Sequence, residues 1–147
     1  MYSMSAFYDD CKAQDADVIL FDFMPAAGAT VRDGQYYAVF IDTSKVLTIR
    51  DLRGVTMHED GHLCTGALHK VDSPYQIVAQ NEYRANAYSF QKFLPPDELM
   101  LAMQMGYTEP WELADYFELP ERDIKNALHY WIECKGVKFN NNIDMGA

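Results

Sequence analysis

The sequence predicts an α+β fold: a small antiparallel sheet of about three strands, packed on a helical core and followed by additional C-terminal helices. Three observations carry this. Residues 18–23 (Val18-Ile19-Leu20-Phe21-Asp22-Phe23) are rich in β-branched and aromatic side chains, the composition of a strand. Asp33-Gly34 separates two further strand-like segments, and Asp-Gly is a preferred two-residue hairpin turn because it tolerates positive φ. From about Thr48 onward, apolar residues recur at the three- and four-residue intervals of helices.

Taken in order, residues 2–14 place Tyr2, Ala6, Phe7, Cys11 and Ala13 on one stripe of a short helix. Asp15-Ala16-Asp17 breaks it, and the first strand follows. Pro25 to Gly28 is a loop. The hairpin then runs from Ala29-Thr30-Val31-Arg32 through Asp33-Gly34 to residues 35–42. Thr43 and Ser44 supply turn side chains. A helix from about Thr48 is expected to stop at Gly66. A loop through Ser73-Pro74 leads to a second long helix over 77–93, which Pro95-Pro96 ends. Shorter helices are expected over 97–105, over 109–117 with Thr108 as N-cap, and from Pro120 to about Cys134. The polar tail 137–147 lies outside them.

The 147 residues, 49% of them hydrophobic, suit a single folded domain. It divides into an N-terminal helix and sheet (1–47), two central helices (48–96), C-terminal helices (97–136) and the tail. Net charge is −10, from 12 basic against 22 acidic residues, which disfavours direct nucleic-acid or anionic-membrane binding. Cys11, Cys64 and Cys134 are scattered and form no CxxC pair, so neither a disulfide framework nor a cysteine zinc cage is expected. The acidic N-terminal stretch lacks the basic start and apolar run of a secretory signal, and no segment is long and apolar enough to span a bilayer. The expected compartment is the cytoplasm.

One segment carries chemistry. His58-Glu59-Asp60-Gly61-His62 is His-Glu-x-x-His. On a helix the two imidazoles lie one turn apart on one face, where they can grip one zinc ion with Glu59 beside them as general base. A helix with two unrelated histidines shows the same pentapeptide, so a third ligand decides. Downstream candidates are His69, Asp72, Glu82 and His129. Glu82 is the best placed, because a helix packed antiparallel to the first could aim its carboxylate at the metal. Asn86 shares Glu82's face, where it could hydrogen-bond a ligand histidine or simply be a polar helix residue. Cys64 lies off the His58 face and reads as packing.

Thr56-Met57-His58-Glu59-Asp60-Gly61-His62, then Glu82-Tyr83-Arg84-Ala85-Asn86 and Leu94-Pro95, resemble the ImmA/IrrE family of metallo-endopeptidases. The family patterns T-x-H-E-x-G-H and E-x-x-A-(N/D) are matched position by position, and the resemblance covers residues of about 17–96. It departs at Asp60, where the family has an apolar or small residue, and around Ser89, where the usual Phe-Ala is out of register. The resemblance implies a zincin-like fold and one zinc ion per chain held by His58, His62 and Glu82, with Glu59 as catalytic base. It also implies a protein substrate, typically a helix-turn-helix repressor of a phage or mobile element. His69, Tyr75, Tyr83 and Arg84 are the nearby residues able to support an oxyanion.

Two other readings come from different classes. The module could hold zinc and recruit a repressor without cutting it, although a pure binder has no need of Glu59. Alternatively, the apolar spacing over 113–128 resembles a helix-turn-helix. However, residues 97–134 hold nine acidic side chains and only two basic ones, Arg122 and Lys125, the wrong sign for phosphate.

Overall fold

The computed structural model describes residues 1–22, 24–68 and 73–139. The fold is α+β: among the described residues, six α-helices and one three-stranded sheet. The chain divides into two compact units, Ser3–Ser89 and Met1–Tyr2 with Phe90–Ala147.

The first unit opens with α1 (Met4–Ala13), capped by the Ser3 hydroxyl, which accepts from the Ala6 N–H at 3.1 Å. Its buried face is Phe7 and Cys11, four residues apart. Asp15, in the left-handed region at φ 54°, turns the chain into β1 (Ala16–Leu20). β2 (Gly28–Asp33) and β3 (Tyr36–Ile41) form an antiparallel hairpin.

The sheet order is β1-β3-β2, with β1 parallel to β3, so the sheet is mixed rather than wholly antiparallel. β3 is therefore central, with β1 and β2 at the edges. Asp42 ties the chain beyond β3 to residues before β2. Its N–H donates to the Ala27 carbonyl at 2.8 Å, and its fully buried carboxylate accepts from the Met24 N–H, the Ser44 hydroxyl and N–H, and Lys45 Nζ. The Ser44 hydroxyl foremost among these donors holds the Asp42 carboxyl well below the usual carboxylate range, against the opposing effect of burial. The hairpin loop is Gly34-Gln35, one position later than the Asp33-Gly34 turn the sequence suggested. Asp33 pairs with Tyr36, and Gly34 alone takes positive φ (61°), as in loops that need glycine at the first position. Val39 and Ile41, alternating on the central strand, are buried.

α2 (Ile49–Thr65) is bounded as its sequence predicts. Thr48 caps it by accepting from the Asp51 N–H at 3.0 Å, and Gly66 closes it at φ 65°, donating to the His62 carbonyl. α3 (Tyr75–Phe93) begins two residues earlier than expected. The unit boundary falls within it, after Ser89.

The second unit holds α4 (Pro96–Gln104), α5 (Pro110–Phe117) and α6 (Glu121–His129). Its core includes Leu94, Leu99, Leu113, Phe117, Leu119 and Ile124. The apolar spacing over 113–128 is therefore the packing face of α5 and α6. The N-cap of α5 is Glu109, not Thr108. Pro110 suits the first helical position, and the Glu112 carboxylate accepts from the Glu109 N–H at 3.2 Å. Beyond α6 the helix widens into a π turn, Tyr130–Cys134, in place of continuing as α-helix. Both aromatic residues there are tethered: the Tyr130 hydroxyl accepts from Gln91 at 2.6 Å, and Trp131 Nε1 donates to the Leu94 carbonyl at 2.8 Å. The tail from residue 140 lies outside the described residues. No helix among the described residues is long and apolar enough to cross a membrane.

Candidate metal centre

The site is built by the crossing of α2 and α3. Gly61 sets how closely they approach: a Cβ there would lie 2.3 Å from the Ala85 carbonyl oxygen and 2.5 Å from Ser89 Oγ. The Ser89 hydroxyl donates to the Met57 carbonyl at 2.9 Å, in a buried contact. Small residues at 85 and 89, one turn apart, thus face Met57 and Gly61, also one turn apart. Because 57 meets 89, 61 meets 85 and 62 meets 82, the helices run antiparallel. The expected geometry for Glu82 follows from that crossing, and Ser89, out of register with the resembled family, is one of the residues that makes it.

His58, His62 and Glu82 come together. His58 Nε2 lies 2.9 Å from Glu82 Oε2, His62 Nε2 lies 3.0 Å from Glu82 Oε1, and the two Nε2 atoms are 3.2 Å apart. The other ring nitrogens are engaged. His58 Nδ1 sits 2.9 Å from Asn86 Oδ1, and His62 Nδ1 sits 2.8 Å from the Ala67 carbonyl oxygen. Both partners are acceptors, so each Nδ1 carries a proton and, in a neutral ring, each Nε2 presents a lone pair. Two lone pairs facing one carboxylate at 3 Å repel unless a cation lies among them.

The charges respond accordingly. Burial opposes protonation of His58, but the Glu82 carboxylate and the charge of Glu59 outweigh it, raising the imidazole from its ordinary 6.5 to about 9. His62 is likewise raised, burial again being outweighed by Glu82 and Glu59. Glu82, hydrogen-bonded first to His58 and then to His62, is held well below the usual carboxylate range. A metal ion meets the same demand as those protons. The donors also suit one: the two Nε2 atoms, 3.2 Å apart, lie close to the ~3.3 Å edge of a tetrahedral zinc with bonds of 2.0–2.1 Å, and each faces a different oxygen of the Glu82 carboxylate.

Glu59 is 5% exposed. Burial raises its pKa, and the charges of His58 and His62 and the Thr30 hydrogen bond pull it partly back. The Thr30 hydroxyl, on β2, lies 3.0 Å from Glu59 Oε1 and 3.3 Å from the Glu59 carbonyl oxygen. Gly28, two residues earlier on β2, also lies against Glu59.

Asp60 points away from this face. It is fully buried, and Cys64 Sγ donates to its Oδ1 at 3.3 Å; with Asp10 of α1 these side chains form a second cluster. Among the other third-ligand candidates, His129 is exposed at the end of α6, while His69 and Asp72 lie outside the described residues. Of the candidate oxyanion donors, Tyr75 and Tyr83 are exposed and Arg84 donates to the Thr65 carbonyl at 3.5 Å.

Sequence reasoning passed over three contributors. Ala67 acts through a backbone carbonyl, which no side-chain pattern signals. Thr30 and Gly28 read only as strand and loop residues, although their two-residue spacing puts both on one strand face. No family model matches the chain, and neither a curated protein nor a solved structure matches it.

Proposed function

We propose that the chain is a zinc-dependent endopeptidase acting in the cytoplasm on a protein substrate, a helix-turn-helix repressor of a phage or mobile element by its resemblance to the ImmA/IrrE family. The observation that supports the zinc site is the convergence of both Nε2 atoms on the Glu82 carboxylate, with both Nδ1 positions already engaged by the Asn86 and Ala67 oxygens. Asn86 thereby acts from outside the ligand set, fixing the tautomer and orientation of His58.

Zinc, when bound, supplies Lewis acidity, making a water more acidic and polarising the substrate carbonyl. The remaining steps belong to Glu59. As water oxygen bonds to the peptide carbonyl carbon, Glu59 accepts the water proton, and it returns a proton to the amine as the C–N bond breaks. A base that must both take and return a proton works best with a pKa near neutrality, and burial moves Glu59 in that direction. A DNA-binding role finds less support: exposed Lys125, one of two cations over 97–134, is paired with Glu121 at 3.1 Å.

Metal analysis of the purified chain and cleavage of a proteome-derived peptide library, read by mass spectrometry, test the proposal. About one zinc per chain is expected, with peptides cut by the wild type and left intact by Glu59→Gln, which retains its zinc. A folded protein that takes up no zinc overturns the metal centre. Equal cutting by Glu59→Gln removes the assigned base, and a zinc-loaded wild type that cuts nothing favours the recruiting module. Co-expression with a repressor encoded beside it then identifies the substrate.

A further inference from the structure

We propose that β2 is the positioning element for Glu59: the Thr30 hydroxyl and the bare α-carbon of Gly28 together hold its carboxylate in the orientation a general base needs. This rests on the endopeptidase reading and adds two residues to it that lie outside the His58, His62 and Glu82 set.

Glu59 has three rotatable side-chain bonds, and its side chain lies against β2. The Thr30 hydroxyl lies 3.0 Å from Oε1 and 3.3 Å from the Glu59 carbonyl oxygen. A hydroxyl has one proton to give, and the carboxylate is the closer and more strongly accepting of the two partners. One donor within reach of both ends of the same residue restricts the torsions between them. Gly28 bounds the other side. A Cβ there would lie 2.8 Å from Val55 Cγ1, 3.0 Å from Glu59 Cγ and 3.1 Å from Glu59 Oε2. Val55 and Glu59 are one turn apart on α2, so any side chain at 28 would displace the base. The hydroxyl occupies Oε1, and the glycine keeps its own atoms away from Oε2. Neither residue carries positive φ, so the glycine at 28 answers to space rather than to backbone conformation.

The test uses the full zinc-loaded chain with Thr30→Val, Thr30→Ser and Gly28→Ala. Thr30→Val should lower kcat on the best-cut library peptide by about 10- to 100-fold. KM, zinc content and thermal midpoint should remain near wild type, and Thr30→Ser should restore most of the rate. Gly28→Ala should lower kcat in the same way. The carboxyl 13C resonance of Glu59 in the metal-free protein should move in Thr30→Val and return in Thr30→Ser. Wild-type kcat in Thr30→Val, or an unmoved carboxyl resonance, overturns the proposal. If the wild type cuts no peptide, the endopeptidase reading fails by itself. The resonance then still decides whether Thr30 holds Glu59, since it requires neither metal nor substrate.

Discussion

Helix α2 carries two pairs of metal-type side chains at the same spacing: His58 with His62, and Asp60 with Cys64. The pairs are offset by two residues, so they face opposite sides of the helix. The first meets Glu82 and Asn86 on α3, and the second meets Asp10 on α1. Both groups bring three ligand-type atoms within 4.8 Å of one another. What separates them is the direction of their hydrogen bonds. In the histidine group, outward-facing oxygens take the Nδ1 protons, so both Nε2 atoms face inward and present lone pairs once they give up their protons. In the other group a proton points inward: Cys64 donates to Asp60, and burial foremost pushes the thiol up to about 12, so it stays protonated at neutral pH. Ligand spacing is thus a weak criterion, and the orientation of the outer hydrogen bonds is a strong one.

The largest effect is expected at Glu82. Glu82→Ala should lose zinc by more than the ~10- to 100-fold that outer hydrogen-bond partners control, as read by chelator competition; unchanged affinity would mean that the ligand set is wrong. Gly61→Ala comes next. Its new methyl would meet the Ala85 carbonyl, so the helices must separate, at a cost of ~1–3 kcal/mol by denaturant unfolding and with zinc affinity reduced. A variant as stable as wild type would show that the crossing is looser than described.

The third test is pH. His58 has its pKa raised to about 9 in the folded chain against an ordinary 6.5. Its ion pair therefore stabilises the metal-free protein fully below about pH 6.5, and that contribution is lost as pH rises through about 9. The metal-free thermal midpoint should fall across that window while zinc affinity rises, and Glu82→Gln should flatten both trends. The smallest effect is expected on the other side of α2. Cys64→Ser should leave zinc content unchanged and cost about 1 kcal/mol or less; a loss of zinc would make the two clusters one functional unit.

The sequence made local features legible and long-range ones less so. The ends of α2 could be read because Thr48 and Gly66 are capping residues whose chemistry is local. Glu82 could be placed because two long helices joined by a short loop tend to pack antiparallel. The central position of β3 could not be read, because its parallel pairing with β1 is a long-range contact that no local pattern signals. The cap at Glu109 was masked by Thr108, a better cap by type but one position too early for Pro110. Asp60 stands out in the sequence only as a departure from the resembled family's pattern; that it is buried beside Cys64 follows from α1 covering that side of α2.

The hydrogen bonds that Asn86 and Ala67 accept have a kinetic consequence. They hold both rings in their tautomer and orientation before any ion arrives, so loading needs no search through side-chain conformers. On the proposed reading it would be an exchange of a dication for protons at the Nε2 positions. Chelation and reloading should then leave backbone signals outside the α2–α3 crossing unchanged. The speed of metallation should follow how readily the surrounding buffer carries those protons away.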